Sequence, residues 1–290
     1  MTVSRALGNR SRVSAATRER VLKLAERIGY RPDPEVAKLM HHLRKRRKPV
    51  FQGVLCALTN RPPELQHYYT NEILRGARQR ADALGYGFSV LPFDTMNSPR
   101  ERLGSVLRNR CIEGLLLLPM KEPVDLSDLL DWRGFSVVAA TSSVLGPEVH
   151  RVTPHQYANT LLLCRRLREQ GYQRIGLVLS ATQDSRVNHT FAAAVMWHNR
   201  HESGADVPHL IYDGTTPAGL REWFRDARPD AIVTSEDQHS RTFAKILGLR
   251  LPGRIGFASL DTNPTSGLSG IDELPAEIGS TAIGLRAGIA

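Results

Sequence analysis

Cysteine is scarce, and its spacing rules out more than it suggests. Cys56, Cys111 and Cys164 stand far apart with no CxxC pair. That argues against a disulfide framework or a zinc site and leaves isolated, mostly buried thiols. No run of about 18 apolar residues is available for a membrane-spanning helix. The first residues hold no apolar stretch of the leader-peptide kind, so the expected location is the cytoplasm. The chain also lacks GxGxxG, a P-loop, GxSxG and HExxH. The short motifs of dinucleotide binding, phosphate cradling, nucleophile elbows and zinc proteases are therefore missing, and no cofactor is expected. The ten histidines are scattered. His41-His42 and the pair His198/His201 each offer two ligands without a third, which falls short of a metal site.

What is present is charge, and it is concentrated. The 290 residues are 41% hydrophobic and carry a net charge of +10. Fourteen of the 39 Lys and Arg lie in residues 1–48, with only four of the 29 Asp and Glu. The other 242 residues carry 25 of each sign. A small basic module on a neutral body points to a polyanionic partner for the module alone.

Within that module, residues 2–7 suit a short helix ending at Gly8-Asn9. Ser14 suits an N-cap. Val21, Leu24, Ala25 and Ile28 then recur at helical spacing opposite Arg18, Arg20, Lys23 and Arg27. Gly29 stops that helix, and Pro32 and Pro34 block its direct continuation. A further helical segment, 35–43, leads into Arg44-Lys45-Arg46-Arg47-Lys48. Taken alone, this pattern fits either a polyanion-binding unit or a helical hairpin with solvated charges.

Three ordered segments make the pattern specific: Thr2-Val3-Ser4-Arg5-Ala6-Leu7, Val13-Ser14-x-x-Thr17-Arg18-x-x-Val21, and Gly29-Tyr30-Arg31-Pro32-Asp33-Pro34. Together they resemble the headpiece and hinge of the lactose-repressor (LacI/GalR) family of bacterial transcription regulators. The resemblance implies a recognition helix in the major groove of a palindromic operator. It puts Arg5 on a base edge, Thr2 and Ser4 on phosphates, and Leu39 as a wedge in the minor groove. The family pattern also has a first helix, a turn and the start of the recognition helix ahead of this stretch. The resemblance therefore predicts a partial helix-turn-helix that binds DNA weakly.

From Val50 onward, apolar runs alternate with helical patterns. Strands are expected at 53–59, 88–93, 114–119, 136–140, 174–179, 209–212, 231–234 and 254–260. Helices are expected at 69–84, 99–110, 126–132, 155–170, 186–201, 217–226 and 238–247. Such alternation implies parallel sheets with helices on both faces, and two runs of it imply two lobes. Ligands of such sheets bind beyond the carboxyl ends of the strands.

Gly76-Ala-Arg-x-x-Ala81, Gly171-Tyr-x-Arg-Ile-Gly176 and Ile255-Gly-Phe-Ala-Ser-Leu-Asp261 extend the resemblance through the body. They are similar to the family's effector-binding core, itself like periplasmic sugar-binding proteins. The implied fold is a two-lobed α/β core of doubly wound parallel sheets behind a partial all-α headpiece. Residues 1–30 would be the headpiece and 31–48 the hinge helix and basic linker. Residues 49–154 would form the first lobe, with 272–290 returning to it, and 155–271 the second. The chain is also short of the family pattern at its far end, which predicts fraying around residue 285.

The resemblance further implies that Asp261 accepts from ligand hydroxyls, although a loop cap is the alternative. Arg186-Val-Asn-His-Thr-Phe191 stands where the family has R-x-x-G-F. Arg186 is the nearest match, with Asn188 sharing its role; a solvated helix-start charge is the alternative. Tyr68 and Tyr69 either stack on a ligand or pack in the core. The expected function is transcription regulation by a homodimer that binds operator DNA under the control of a sugar or similar effector. Two other readings remain open, a ligand-binding protein without DNA function and an α/β enzyme with a basic tail.

Overall fold

In the computed structural model of the chain, the described residues are 14–27, 52–61, 67–93, 100–205, 207–212, 214 and 217–289. The chain divides into two units at the Pro49–Val50 junction. In the first unit, helix α1 spans Ala15–Arg27. Ser14 caps it, its hydroxyl accepting the Thr17 N–H at 3.3 Å, so one orphan amide of the first turn has a partner. Val21 and Ala25 of the expected stripe are half-buried, whereas Leu24 is exposed. Thr2, Ser4, Arg5 and Leu39, the expected DNA contacts, lie outside the described residues, as do the expected helices 2–7 and 35–43 and the pair His41-His42.

The second unit opens with β1 (Gly53–Thr59), α2 (Tyr68–Leu84), β2 (Tyr86–Pro92), α3 (Arg100–Asn109) and β3 (Ile112–Leu117). The strands β4 (Val124–Asp125), β5 (Ser136–Ala139), β6 (Val144–Gly146) and β7 (His150–Arg151) follow. Next come α4 (Gln156–Glu169), β8 (Ile175–Leu179), α5 (Ala181–Arg186), α6 (Thr190–His198) and β9 (Leu210–Ile211). The unit ends with α7 (Pro217–Ala227), β10 (Ala231–Glu236), α8 (Asp237–Leu247), β11 (Gly256–Asp261), β12 (Ser269–Gly270) and α9 (Pro275–Ile289).

Ten of the strands form two five-stranded sheets, β2-β1-β3-β5-β7 and β9-β8-β10-β11-β12, and β4 pairs with β6 in a small third sheet, with every pairing parallel. Both sheets therefore have the same winding, and in each the order reverses between the first and third strands of the lobe. The apolar runs are continuous because both faces of each sheet are covered. In β1, Cys56 and Leu58 pack towards Leu103 and Leu107 of α3. Leu55 and Ala57 point the other way, to Ile73 and Ala77 of α2 and Ile278 and Ala282 of α9. In the second lobe, Leu177 and Leu179 join Cys164 of α4 and Val195 of α6, while Val178 and Ile232 join Leu220 of α7 and Phe243 of α8.

Glycines set how closely these layers approach. A Cβ on Gly76 of α2 would stand 1.8 Å from the Ala276 carbonyl oxygen, and one on Gly279 of α9 would stand 2.0 Å from that of Ile73. The two helices touch backbone to backbone, which only glycine permits.

Most expected elements begin and end within two residues of the observed ones. Two do not. Residues 126–132 form turns rather than a helix, because the Trp132 indole N–H takes the carbonyls of Leu126 and Ser127, each at 3.1 Å. The expected helix 186–201 is broken after Arg186. Asn188 and His189 adopt φ values of +51° and +59°, and the His189 N–H donates to the Asp184 carbonyl at 2.9 Å. Helix α6 then loosens into a π turn at Asn199–Ser203, where the Asn199 amide donates to the carbonyls of Ile175 and Val207.

Candidate ligand-binding cleft

The carboxyl ends of the two sheets face one another across a cavity of about 320 Å³. That is near the lower end of the range for small-molecule sites, roughly 300–1,000 Å³. Arg61 follows β1, His67, Tyr68 and Tyr69 begin α2, Thr141 follows β5, and Gln156 begins α4. From the second lobe come Gln183 and Arg186 of α5, Phe191 of α6, Glu236 and Asp237 at the β10–α8 junction, and Asp261 at the end of β11. Glu273 reaches the wall from the segment before α9. Both strand-order reversals open onto this space, as expected for doubly wound sheets.

The second-lobe residues are held by local chemistry. Ser180 and Gln183 form a reciprocal capping box at the start of α5, with bonds of 3.1 and 3.0 Å. The Gln183 amide nitrogen also lies 3.3 Å from Nδ1 of His239, tying α5 to α8. Arg186 ends α5, and the turn behind it is closed by the His189 ring on the Asp184 carboxylate at 2.6 Å. Asp237 accepts the Thr262 hydroxyl at 2.9 Å and the Asn263 N–H at 2.8 Å. Its charge is thus committed to the loop after β11.

Burial dominates the electrostatics. It lowers the Arg186 guanidinium, while Glu236, Tyr69 and Asp261 pull the other way. Burial lowers Arg61 too, and the charge of Arg186 adds to the effect. Asp261 is pushed up to about 7, first by burial and then by Glu236, Asp237 and Asp272. Glu273 is pushed up to about 8 by burial and by Asp261. The Tyr69 phenol rises for the same reason, with Glu273 beside it. Two buried atoms here have no hydrogen-bond partner, Nε of Arg186 and Oε1 of Glu273. The cavity wall therefore holds one unused donor and one unused acceptor, an arrangement that is costly unless something supplies the missing bonds.

Of the residues singled out from sequence, Tyr68, Tyr69, Arg186 and Asp261 stand on this wall. Asn188 does not; it lies in the positive-φ turn, its N–H donating to the Ser185 carbonyl at 3.0 Å. The turn has turned it away from Arg186's role. Sequence reasoning missed Arg61, Gln183, Glu236 and Glu273. Glu236 was findable, since Ser235-Glu236-Asp237 is a polar triplet just after an apolar strand. Glu273 carried no such sign. His198 and His201 point apart: His198 is buried near Glu202, and His201 stacks on Trp197. Among the described residues, no three ligating side chains cluster as a metal site would need, and no helix is long and apolar enough to cross a membrane.

Comparison with known proteins places these features. The family model for bacterial regulatory proteins of the lacI family matches residues 1–33. The HTH-type transcriptional repressor CytR of Escherichia coli (strain K12) is 29% identical over 181 residues, covering 61% of this chain and 49% of CytR. The chain thus spans about half the length of that relative. Catabolite control protein A of Priestia megaterium is 24% identical over 277 residues, 91% of this chain and 79% of its own. Among solved structures, the transcriptional regulator CelR in complex with cellobiose superposes with a TM-score of 0.64 at 19% identity, covering 100% of this chain and 90% of that one. The lac repressor dimer bound to operator and the anti-inducer ONPF gives 0.60 at 19% identity, covering 99% and 88%. These structural likenesses establish the two-lobed fold. The family model thus falls on the basic N-terminal residues, and the body is similar to repressors that the lacI family model and these relatives describe.

Proposed function

We propose that this chain is a sequence-specific transcription regulator, not an enzyme, whose operator affinity is set by a small molecule held between its two lobes. One pairing carries the reading. The family model falls on the basic N-terminal residues, and the neutral body has two parallel sheets whose strand ends close on one cavity with an unused donor and acceptor. CelR with cellobiose and the lac repressor with operator and ONPF supply the analogy. Residues 1–30 act as the headpiece and 31–48 as hinge and linker. Residues 49–154 with 272–290 form one lobe, and 155–271 the other. Arg5 reads a base edge, Thr2 and Ser4 hold phosphates, and Leu39 wedges the minor groove. Ligand binding changes lobe closure, and in a homodimer this alters the spacing of the two hinges. The protein works in the cytoplasm, where the operator is.

Selection of duplexes from a random pool by the full chain at low salt tests the DNA half. The expected product is an enriched palindrome, and Arg5→Ala should cost about 1–3 kcal/mol of discrimination at one base pair of each half-site. Binding without sequence enrichment would leave a basic ligand-binding protein and sink the regulator reading.

A further inference from the structure

Given that the cleft is the effector site, its charges select a class of ligand. Four carboxylates line the cavity, Glu236, Asp237, Asp261 and Glu273, against two guanidiniums, Arg61 and Arg186. The surplus is not spread evenly. Glu236 lies within reach of both arginines and offsets them. Asp237 is committed to Thr262 and Asn263. Asp261 and Glu273 remain on the wall that carries Tyr68 and Tyr69, with Asp272 behind them. Glu273 is only 8% exposed, and its Oε1 has no partner.

An anionic ligand would be repelled by these two carboxyls whenever they ionise. A neutral hydroxyl can donate to Glu273 but gives the pair no cation to ionise against. A protonated nitrogen donates to Oε1, is attracted by Asp261, and meets the faces or edges of two phenol rings, an arrangement suited to cations. We propose that the cleft takes a hydroxylated ligand bearing a basic nitrogen, with the nitrogen against Glu273 beside Tyr68, Tyr69 and Asp261, and hydroxyls against Arg186 and Gln183.

The titration of the empty site agrees with this geometry. Burial is the first reason that Asp261 and Glu273 hold their protons towards neutrality; Asp261 also faces Glu236, Asp237 and Asp272, with Arg186 opposing, and Glu273 faces Asp261 and Asp272, with the Tyr69 hydroxyl opposing. A bound cation replaces those protons, so its binding releases protons into the buffer.

The test uses the full chain at pH 7 in a buffer free of Tris, itself a hydroxylated amine. Matched sets are compared by thermal shift and calorimetry: D-glucosamine, D-glucose and D-glucose 6-phosphate, then the galactose and mannose counterparts. In at least one set the amine should bind about tenfold tighter than the neutral sugar, the margin a charge-assisted bond adds over a neutral one. The phosphate should give no shift. Glu273→Gln should bring the amine level with the neutral sugar. Silence from every amine, a phosphate binding as well as its amine, or an amine preference that survives Glu273→Gln each overturns the ligand class. If a neutral or anionic sugar binds at least as tightly as its amine and Arg186→Ala abolishes that binding, the class fails and the cleft stands. Shifts untouched by Arg186→Ala and Glu273→Gln alike would overturn the cleft itself. The ranking in the unsubstituted chain needs neither variant, so a variant that fails to fold leaves the test intact.

Discussion

The two lobes share a winding and differ in what they do with it. Both sheets run in the same strand order, and both reversals open on the cavity. The first lobe brings two tyrosines, a histidine, one arginine and, from the returning segment, Glu273 to that space, while the second brings Arg186 from the end of α5 and Glu236, Asp237 and Asp261 from two neighbouring strand ends. Their packing differs in the same sense. In the first lobe α2 meets α9 through Gly76 and Gly279, backbone against backbone. In the second, two strand glycines make room for aromatic side chains: a Cβ on Gly176 would stand 2.7 Å from Trp223, and one on Gly256 would stand 2.6 Å from Tyr172. Topology fixes where a ligand site opens. It leaves free which lobe supplies the charges and how rigid each lobe is.

The largest expected effect breaks the rigid contact. Gly76→Ala in an ordinary helix interior should stabilise by about 1 kcal/mol. Here the added methyl meets the Ala276 carbonyl, and a backbone cannot rotate aside. The expected outcome is a loss on the order of 3 kcal/mol, read as a lower urea midpoint. Gly176→Ala meets the edge of the Trp223 ring at 2.7 Å and Cβ of Pro229 at 3.1 Å, side-chain atoms rather than a helix backbone, and a ring can tilt. About 1 kcal/mol is expected there. Equal losses at both positions would remove the distinction between the two packing modes.

Next in size is a pH dependence that belongs to the cleft. Asp261 and Glu273 titrate near 7 and 8 in the folded chain, well above the ordinary values near 4 that apply when it unfolds. Between those limits the folded state binds more protons than the unfolded one. Stability therefore falls as pH rises from about 4 towards 8. Urea midpoints at pH 5, 6.5 and 8 should decline in that order, and Asp261→Asn with Glu273→Gln should flatten the decline. A midpoint that climbs across this window, or a slope unchanged in the double variant, would contradict the burial of these carboxyls.

The comparison also shows where sequence is legible. Strands covered on both faces announce themselves as apolar runs, which is why Gly53–Thr59 reads correctly to the residue. The pattern around Gly171 and Gly176 is readable as a motif, and the structure supplies its cause in the Trp223 ring over Gly176. Strands of two or three residues, such as β4, β6 and β12, are too short to show any period. The break after Arg186 escaped notice because Asp184 and His189 look like ordinary helix residues until they bond each other. That same break moved Asn188 off the wall. Glu273 was invisible for another reason: it is buried at the cavity wall with Tyr69 and Asp261 as its partners, and nothing next to it in the chain predicts that.

The smallest expected effect separates two surface ion pairs, one on each lobe. Glu72 holds Arg75 at 2.5 Å on α2, and nothing buried depends on it. Exposed pairs of this kind contribute little, so Glu72→Gln should leave the urea midpoint within scatter. Glu202 holds Arg165 at 2.6 Å in much the same setting, but it also stands 3.8 Å from Nε2 of His198. That ring is fully buried, and its Nε2 has no hydrogen-bond partner. Burial lowers the His198 imidazole, and the Asn199 side chain and then Glu202 partly restore it. Glu202→Gln should therefore lower His198 further, a shift readable in the imidazole titration by NMR, and give a small loss of stability only below about pH 6.5, where the unfolded imidazole takes up a proton. If the two substitutions prove indistinguishable by both measurements, the His198–Glu202 contact carries no more weight than any solvated pair.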